Sequence, residues 1–241
     1  MTDHSAPVPR FTIRNALQWD IPDVSNLLAA VLASTPVGLW LEPRPEWRQS
    51  RLGRFYEAQT TVANVHGSTR VAVTAAGDVI GAALWLPCAE PDPLSDTSLS
   101  GIAETADASE FGRRVGQLLD AAWQPHVAEP HQRLIGLGVR ADYRRHGVAT
   151  ALLTDRQNGQ VRPVRCVAVD ESLAALCSRC GYRDFCKPAQ LRPGGVIVRS
   201  LAFVPDVPAV RSRNAGGAFG SGRERPARGV FVVRQRSGGG S

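Results

Sequence analysis

The sequence predicts a mixed α/β sheet flanked by helices, and two observations carry that prediction. Two apolar runs flank Gly77 and Asp78, which can adopt the positive φ of a tight turn, so residues 69–87 indicate an antiparallel hairpin. From Leu134 onward, strand and helix candidates alternate, which is typical of parallel strands joined by helical crossovers. The 241 residues suffice for one domain of this class with a tail.

The part of the chain before the hairpin supplies one strand and two helices. Phe11 to Arg14 is predicted as a short strand. Apolar residues recur at helical spacing from Asp20 onward, and Pro22 lies in the first turn, where its missing N–H costs little. A second helix is predicted from Glu46 to Val62, after a loop at Leu41–Pro45.

The part after the hairpin begins with residues 88–108, whose Pro, Ser and Asp predict a surface loop. Helices and strands then follow in turn to the end of the domain. They are a helix at Ser109–Trp123, a strand at Leu134–Val139, a helix at Arg145–Asn158, a strand at Arg165–Val169, a helix at Ser172–Cys180 ended by Gly181, and a strand at Val196–Phe203.

Residues 1–206 are predicted to form the folded domain, and residues 207–241 a disordered tail rich in Gly, Arg and Ser. The tail holds seven Arg and one Glu, so it carries the whole net charge of +6 and the domain is neutral. Only Phe219 and Phe231 could stack on bases there. We therefore expect no nucleic-acid partner beyond a weak, salt-sensitive contact of the tail.

The sequence also indicates the cellular compartment of the protein. No apolar run approaches the roughly 18 residues of a membrane-spanning helix. The N-terminus lacks the basic start and apolar core of a secretory signal. We therefore expect a cytoplasmic protein with no membrane partner. The five Cys are interpreted as reduced thiols, and the oligomeric state is left open.

One stretch, Leu137 to Leu153, carries recognisable chemistry. A strand ends at Val139, a short basic loop follows, and a helix opens near Gly147, so that residues 144–149 fit the spacing R-x-x-G-x-A. The first turn of a helix has unpaired N–H groups and a partial positive charge, and Gly147 permits close approach of the backbone. These features predict a site for a pyrophosphate. No P-loop or Rossmann glycine motif occurs.

This stretch resembles motif A of the GCN5-related N-acetyltransferases, in which Q/R-x-x-G-x-G/A cradles the pyrophosphate of acetyl-CoA. The run Val167–Tyr182 is similar to the family's next strand and helix, where N-x-x-A-x-x-L-Y-E-K-L-G-F is common. The layout before motif A resembles the puromycin N-acetyltransferase branch, including Gln124–His126 and Glu129–His131. The resemblance implies a mostly antiparallel sheet with splayed central parallel strands, and acetyl-CoA as the co-substrate.

The same resemblance implies which residues hold acetyl-CoA. No metal site is expected, because the C-x-x-C at Cys177–Cys180 lacks a fourth nearby ligand for zinc. The strand at Leu137–Val139 is expected to meet the pantetheine arm, and the basic turn to meet the pyrophosphate. The predicted site is Leu137, Gly138, Val139, Arg144, Arg145, His146, Gly147, Val148, Ala149 and Thr150.

Acetyl transfer to an amine needs a base or water relay, and a proton for the departing thiolate. The family's Tyr of L-Y-E is replaced here by Cys177, which is the candidate proton donor, with core packing as the alternative. Tyr182 is a weaker substitute, since it stands where the family has a core aromatic. His131 is the candidate base. The other candidates for the base are Glu129, His126, Asp170, Glu171 and a water relay.

The expected function is an acetyl-CoA-dependent N-acetyltransferase acting on a primary amine, first of a small molecule and next of a peptide. The alternative is a non-catalytic acyl-CoA-binding or regulatory module on the same fold. The length of the acyl group is left open. Trp40, Trp47, Phe55 and Tyr56 are expected either to shape the acceptor pocket, as the resemblance implies, or to pack in the core. The C-x-x-C at Cys177–Cys180 is interpreted as core packing.

Overall fold

A computed structural model of the protein describes residues 10–88, 109–123, 129–157 and 162–205. The predicted tail, the side chain of His126 and all of the predicted 88–108 loop except Cys88 lie outside the described residues. The boundary between domain and tail therefore stays a prediction. None of the described helices is long and apolar enough to cross a membrane.

The described strands form one mixed sheet. The order across the sheet is β1-β2-β3-β4-β5-β8-β6, with β7 also paired to β8. Only β4 and β5 run parallel among these pairs, so the predicted mixed and mostly antiparallel sheet is confirmed. The strands are β1 Phe11–Asn15, β2 Ser68–Thr74, β3 Val79–Cys88, β4 His131–Val139, β5 Val164–Ala168, β6 Arg183–Asp184, β7 Ala189–Leu191 and β8 Val196–Phe203.

Helices cover both faces of the sheet. Buried side chains of α1 to α4 form one core with alternate residues of β3, including Leu84 and Leu86. Ala83 and Trp85 alternate with these two leucines along β3. They face a second core, to which α5 and α6 contribute, because successive strand residues point to opposite faces of the sheet. The helices are α1 Ile21–Ala33, α2 Pro36–Leu41, α3 Pro45–His66, α4 Glu110–Trp123, α5 Val148–Gln157 and α6 Glu171–Arg179, with short 3-10 turns at Gln18–Asp20 and Ala141–Tyr143.

Helix α2 is absent from the sequence prediction, which has no element between the first helix and the loop at Leu41–Pro45. Thr35 caps this helix by accepting a hydrogen bond from the Gly38 N–H at 3.1 Å, and Pro36 occupies the first helical position. Both residues are typical helix-start signals. Six residues are too few to show a helical period, which is why the pattern went unrecognised.

The parallel pair β4–β5 separates toward its carboxyl end. Pairing covers three residue pairs and ends at Leu134 with Cys166. Ile135 then forms a β-bulge, because Leu84 pairs with Gly136 while the next residue of β3 pairs with Leu134. Beyond the bulge, β4 continues on β3 alone and β5 on β8 alone. This is the predicted splay of the central strands.

Helix α5 begins three residues later than predicted, at Val148 rather than Arg145. Arg145 has a φ of 65° and Gly147 a φ of 80°, and neither value is compatible with a right-handed helix. The basic residues therefore form a tight turn between β4 and α5. The helix itself starts one residue after the glycine.

Candidate functional site

A cleft opens where β4 and β5 separate, with about 1800 Å³ of empty space including the part open to solvent. Its walls are the junction of α1 with α2, the end of β4, the turn before α5, and α6. The cleft brings together nine of the ten residues predicted to hold acetyl-CoA, namely Leu137, Gly138, Val139, Arg144, Arg145, Gly147, Val148, Ala149 and Thr150. His146 is the tenth; it is exposed in the same turn but does not line the cleft.

The start of α5 gives one end of this cleft a positive electrostatic character. The first hydrogen bond of the helix runs from the Ala151 N–H to the Gly147 carbonyl at 2.9 Å. The N–H groups of residues 148–150 precede it and so have no acceptor within the helix. No atom lies within 4 Å of where a Cβ on Gly147 would stand, so the space above the turn is open. Free N–H groups and the helix dipole together favour a negatively charged ligand.

The charged side chains of the cleft are mainly cationic. Arg144 and Arg145 line it from the turn, and Arg179 lines it from the last turn of α6. Asp170 is the acidic residue among the described lining residues, and its carboxylate is already engaged as the cap of α6, accepting from the Leu173 N–H at 2.8 Å. Sequence reasoning missed Arg179, although a basic residue in the helix after β5 is a usable signal.

The end of β4 offers a second kind of contact. After Leu134 no described strand pairs with its edge toward β5, and this edge borders the cleft; of its backbone groups, the Val139 carbonyl accepts from Arg144 Nε at 3.3 Å. Gly138 is needed there because α1 packs closely on the strand. A Cβ on Gly138 would lie 2.9 Å from side-chain atoms of both Leu27 and Leu28. The unpaired strand edge suits an extended ligand that carries amide groups.

An apolar cavity adjoins the cleft, with about 850 Å³ of empty space including the part open to solvent. It lies between α3, α4 and the central strands. The cleft and the cavity share five lining residues, so the cavity is the inward continuation of the cleft. The shared residues are Leu32, Tyr56, Leu137, Val169 and Leu173. The others that line the cavity are Phe55, Gln59, Leu118, Leu119, Ala122, Arg133, Leu134, Ile135, Gly136 and Val167.

Tyr56 stands at the junction of cleft and cavity. Its side chain is buried, and its ring meets Phe55 edge-on with centroids 5.2 Å apart. Burial raises the pKa of Tyr56 far above its ordinary value, so the phenol stays protonated at physiological pH. Its hydroxyl makes no hydrogen bond to any residue that the structure describes. Tyr56 is therefore a hydrogen-bond donor available at the place where the two spaces meet.

Gln59 lies one helical turn beyond Tyr56 on α3. It lines the apolar cavity and is only 4% exposed. Its Oε1 atom is fully buried and has no hydrogen-bond partner within the described ranges. A buried amide oxygen without a partner is energetically costly in a folded protein. This atom is suited to accept a hydrogen bond from a ligand in the cavity.

Three of the four predicted aromatic residues take one of the two expected roles. Phe55 and Tyr56 line the apolar cavity, whereas Trp40 and Trp47 do not. Trp40 is buried, and its indole Nε1 donates to the carbonyl of Pro193 at 2.5 Å. Trp47 is about half exposed beside Arg51. Phe55 and Tyr56 thus line the candidate site, Trp40 packs in the core, and Trp47 lies at the surface, where neither expected role places it.

Cys177 does not reach the cleft. It is fully buried, and its Sγ lies 3.7 Å from the Sγ of Cys166 in the core beneath α5 and α6. Cys166 alternates along β5 with Val167, which lines the apolar cavity, so the two thiols lie on the opposite face of the sheet. Tyr182 is buried in the same core. The structure thus places Cys177 in the core, which was the alternative interpretation.

His131 is likewise absent from both spaces. It begins β4, is buried, and lies with Nδ1 2.9 Å from the carbonyl of Glu129 and Nε2 3.4 Å from Arg133. Arg133 stands between it and the cavity. Of the other candidate bases that the structure describes, Asp170 alone lines the cleft. Glu129 and Glu171 lie at the surface outside it.

Comparison of the fold with solved structures gives clear matches. A protein described as histone acetyltransferase HPA2 and related acetyltransferase, from Corynebacterium glutamicum, matches with a TM-score of 0.59 and 25% identity, over 83% of this chain and 99% of that one. A Drosophila melanogaster polyamine N-acetyltransferase matches at 0.58 and 16%, over 80% and 98%. Arylalkylamine N-acetyltransferase 2 from Aedes aegypti matches at 0.56 and 14%, over 81% and 99%.

Sequence comparison is less informative. Neither a protein-family model nor a curated protein sequence matches the chain. The assignment of this chain to a fold family therefore rests on the match to solved structures. The splayed strands and the position of the basic turn agree with it. The similarity to the puromycin branch stays a prediction, because residues 124–128 lie outside the described residues.

Proposed function

We propose that this chain, which belongs by fold to the GCN5-related N-acetyltransferases, transfers an acetyl group from acetyl-CoA to a primary amine of a small molecule. The observation that carries the proposal is the cleft between β4 and β5. It joins a cationic helix start, an unpaired strand edge and an inner apolar cavity in one continuous space. The apolar cavity thus leaves room for an amine beside acetyl-CoA in the cleft.

The residues of the cleft fit acetyl-CoA, which supplies an acetyl group activated as a thioester. The start of α5, with Arg144 and Arg145, offers N–H groups and positive charge to the pyrophosphate. The free edge of β4 after its bulge offers N–H and carbonyl groups to the amides of the pantetheine arm. The side chains of Val148, which is buried, and Ala149, which is small, leave the N–H groups of the turn accessible to a ligand.

In the proposed reaction the amine nitrogen forms a bond to the acetyl carbon, and the bond from that carbon to sulfur breaks. The amine gives up one proton to water in the open cleft, and the CoA thiolate takes up one from water. Since neither Cys177 nor His131 lines the cleft, no step is assigned to them. Tyr56 donates a hydrogen bond at the junction, where negative charge develops on the acetyl oxygen or on the sulfur.

The second candidate function is an acyl-CoA-binding module without turnover. It is favoured by one specific observation, namely that the predicted proton donor and the predicted base both lie outside the cleft. It requires only the anion site and the strand edge. Binding alone therefore does not separate the two functions, and turnover does.

The test is an incubation of the protein with acetyl-CoA and a panel of primary amines, in which free CoA thiol and product mass are measured. The proposal expects thiol release that depends on the amine, with a product one acetyl group heavier. The double variant Arg144→Ala/Arg145→Ala should slow release, whereas Arg54→Ala, which removes an exposed Arg of α3 away from the cleft, should not. Binding of acetyl-CoA with no release for any amine would overturn the proposal in favour of the binding module.

A further inference from the structure

We infer that the apolar cavity beside Tyr56 is the acceptor site and that it takes a primary monoamine on an apolar or aromatic body, not a diamine or polyamine. This inference rests on the proposed function, which it deepens by naming the class of acceptor. It sets the chain apart from the polyamine N-acetyltransferase that shares its fold.

The position of the cavity assigns it to the acceptor. It continues the cleft inward past Tyr56 and Leu137, on the side away from the cationic start of α5. An acetyl group carried along the edge of β4 therefore meets the mouth of the cavity. From Leu137 to Arg133 the strand covers about 13 Å, which sets the depth available to the acceptor.

The described lining of the cavity disfavours a second ammonium group. That lining contains no carboxylate and is mostly apolar, with the guanidinium of Arg133 at the inner end. The far ammonium of a diamine would leave water for a space in which no described lining residue offers it a negative partner. This opposes binding, because a buried charge is tolerated only with a partner of opposite sign.

The polar atoms of the cavity favour a neutral amine. Gln59 presents a buried Oε1 without a described partner, one turn from Tyr56. A carboxamide oxygen accepts a hydrogen bond from an N–H but, unlike a carboxylate, does not favour the protonated ammonium. Attack on the thioester requires the neutral amine, so Gln59 is placed to hold the reactive form.

The remaining lining fits an apolar body. Phe55, Leu118, Leu119 and Ile135 contact the cavity from three different elements. Burial of hydrocarbon against them is favourable by about 25 cal/mol for each Å² removed from water. An aliphatic or aromatic amine gains this energy, whereas a polyamine places charges against the same surface.

The experiment measures binding of matched amines to the protein saturated with CoA, by thermal shift, and their acetylation in parallel. Hexylamine and phenethylamine are compared with 1,6-diaminohexane and agmatine. The monoamines should raise the melting temperature and the dications should not. Where turnover occurs, kcat/KM should favour hexylamine over 1,6-diaminohexane by about 100-fold, equivalent to about 2.7 kcal/mol.

A pair of charge variants tests the assignment of the cavity directly. Gln59→Glu places a carboxylate in the cavity with almost no change of shape, and should move the preference toward 1,6-diaminohexane by tenfold or more, on the order expected for a new charge pair. Gln117→Glu adds the same charge on the exposed side of α4 and should leave the preference unchanged.

Three results would overturn the inference: equal or tighter binding of the dications, no binding of any amine, or an identical preference in Gln59→Glu and Gln117→Glu. Failure of the proposed function looks different. In that case monoamines still bind selectively beside CoA, but no thiol is released from acetyl-CoA. The two ideas can therefore fail separately.

Discussion

At the scale of single residues, Tyr56 has the most direct consequence for chemistry. It is the phenol at the junction of cleft and cavity, kept protonated by burial, with its hydroxyl unengaged by the described residues. Tyr56→Phe should lower kcat by about 10- to 100-fold, the effect of losing one hydrogen bond to a charged group. The dissociation constant of acetyl-CoA should change little, because the main cofactor contacts lie elsewhere. Steady-state kinetics and a titration give the two values, and an unchanged kcat would remove Tyr56 from the site.

Substitution of Cys177, unlike that of Tyr56, is expected to leave catalysis unaffected. Cys177→Ala should leave the acetylation rate and its pH profile unchanged, because the thiol packs against Cys166 on the other face of the sheet. It should lower stability by about 1 kcal/mol, as expected for a small cavity in the core. That loss corresponds to a melting temperature about 2–4 °C lower. A fall in kcat without a fall in melting temperature would restore Cys177 as the proton donor.

The contrast between the basic turn and Cys177 shows which residues sequence can assign. Arg144 to Thr150 are contiguous, so their local spacing already describes a strand end, a turn and a helix start. Cys177 depends on how α6 is rotated against β5, and that rotation follows from packing with Leu152, Leu201 and other distant residues. Gln59 carried no sequence signal, since a Gln within a long helix is ordinary.

At the scale of elements, one ion-pair cluster fixes the helix that carries Tyr56. Glu42 follows α2, is buried, and bonds to Arg44 Nε at 2.9 Å and to Arg51 Nη1 at 2.7 Å. Burial by itself raises the pKa of Glu42, but the hydrogen bonds and positive charges of the two guanidinium groups outweigh it and lower the pKa. The cluster thus joins the end of α2 to the first turns of α3.

Removal of the Glu42 carboxylate should lower the free energy of unfolding, by an amount that depends on pH. Glu42→Gln leaves two Arg without their partner and should destabilise the protein by about 1–2 kcal/mol at neutral pH, since both guanidinium groups keep access to water. Since the folded pKa is lowered, the ionised form stabilises the fold above the ordinary pKa of Glu, and this contribution is lost as pH falls through the folded value. Denaturant unfolding of both proteins at several pH values measures the difference. A gap that stayed constant into strongly acidic solution would contradict the ion-pair explanation.

The elements themselves were predictable where they are long or locally capped. The hairpin of β2 and β3 follows from its turn residues, the helices α1 and α4 follow from their apolar period, and α3 was predicted as the segment after the Pro-containing loop. The short strands β6 and β7 were not predicted, because two or three residues become a strand only by pairing with β8. The start of α5 was placed too early because nothing in the sequence marks the positive φ of Arg145.

At the scale of the whole molecule, the sheet separates the site from the second core. The cleft and the apolar cavity lie among α1, α3, α4, α6 and the diverging ends of β4 and β5, while Cys166 and Cys177 pack on the far side. The fold class was predictable because alternating strands and helices after a hairpin allow few arrangements. The cavity was not predictable, because its lining comes from six elements, most of them distant from one another in sequence.

The most direct measurement is a calorimetric titration of acetyl-CoA into the folded protein and into the Arg144→Ala/Arg145→Ala variant, with melting curves of the same samples. Binding at one site per chain is expected, weakened tenfold or more in the variant by the loss of two charged contacts. At 100 times the dissociation constant, acetyl-CoA should stabilise the protein by about 2.7 kcal/mol, a rise of about 5–10 °C. A folded protein that shows neither heat of binding nor a shift would contradict the assignment of the cleft to acetyl-CoA.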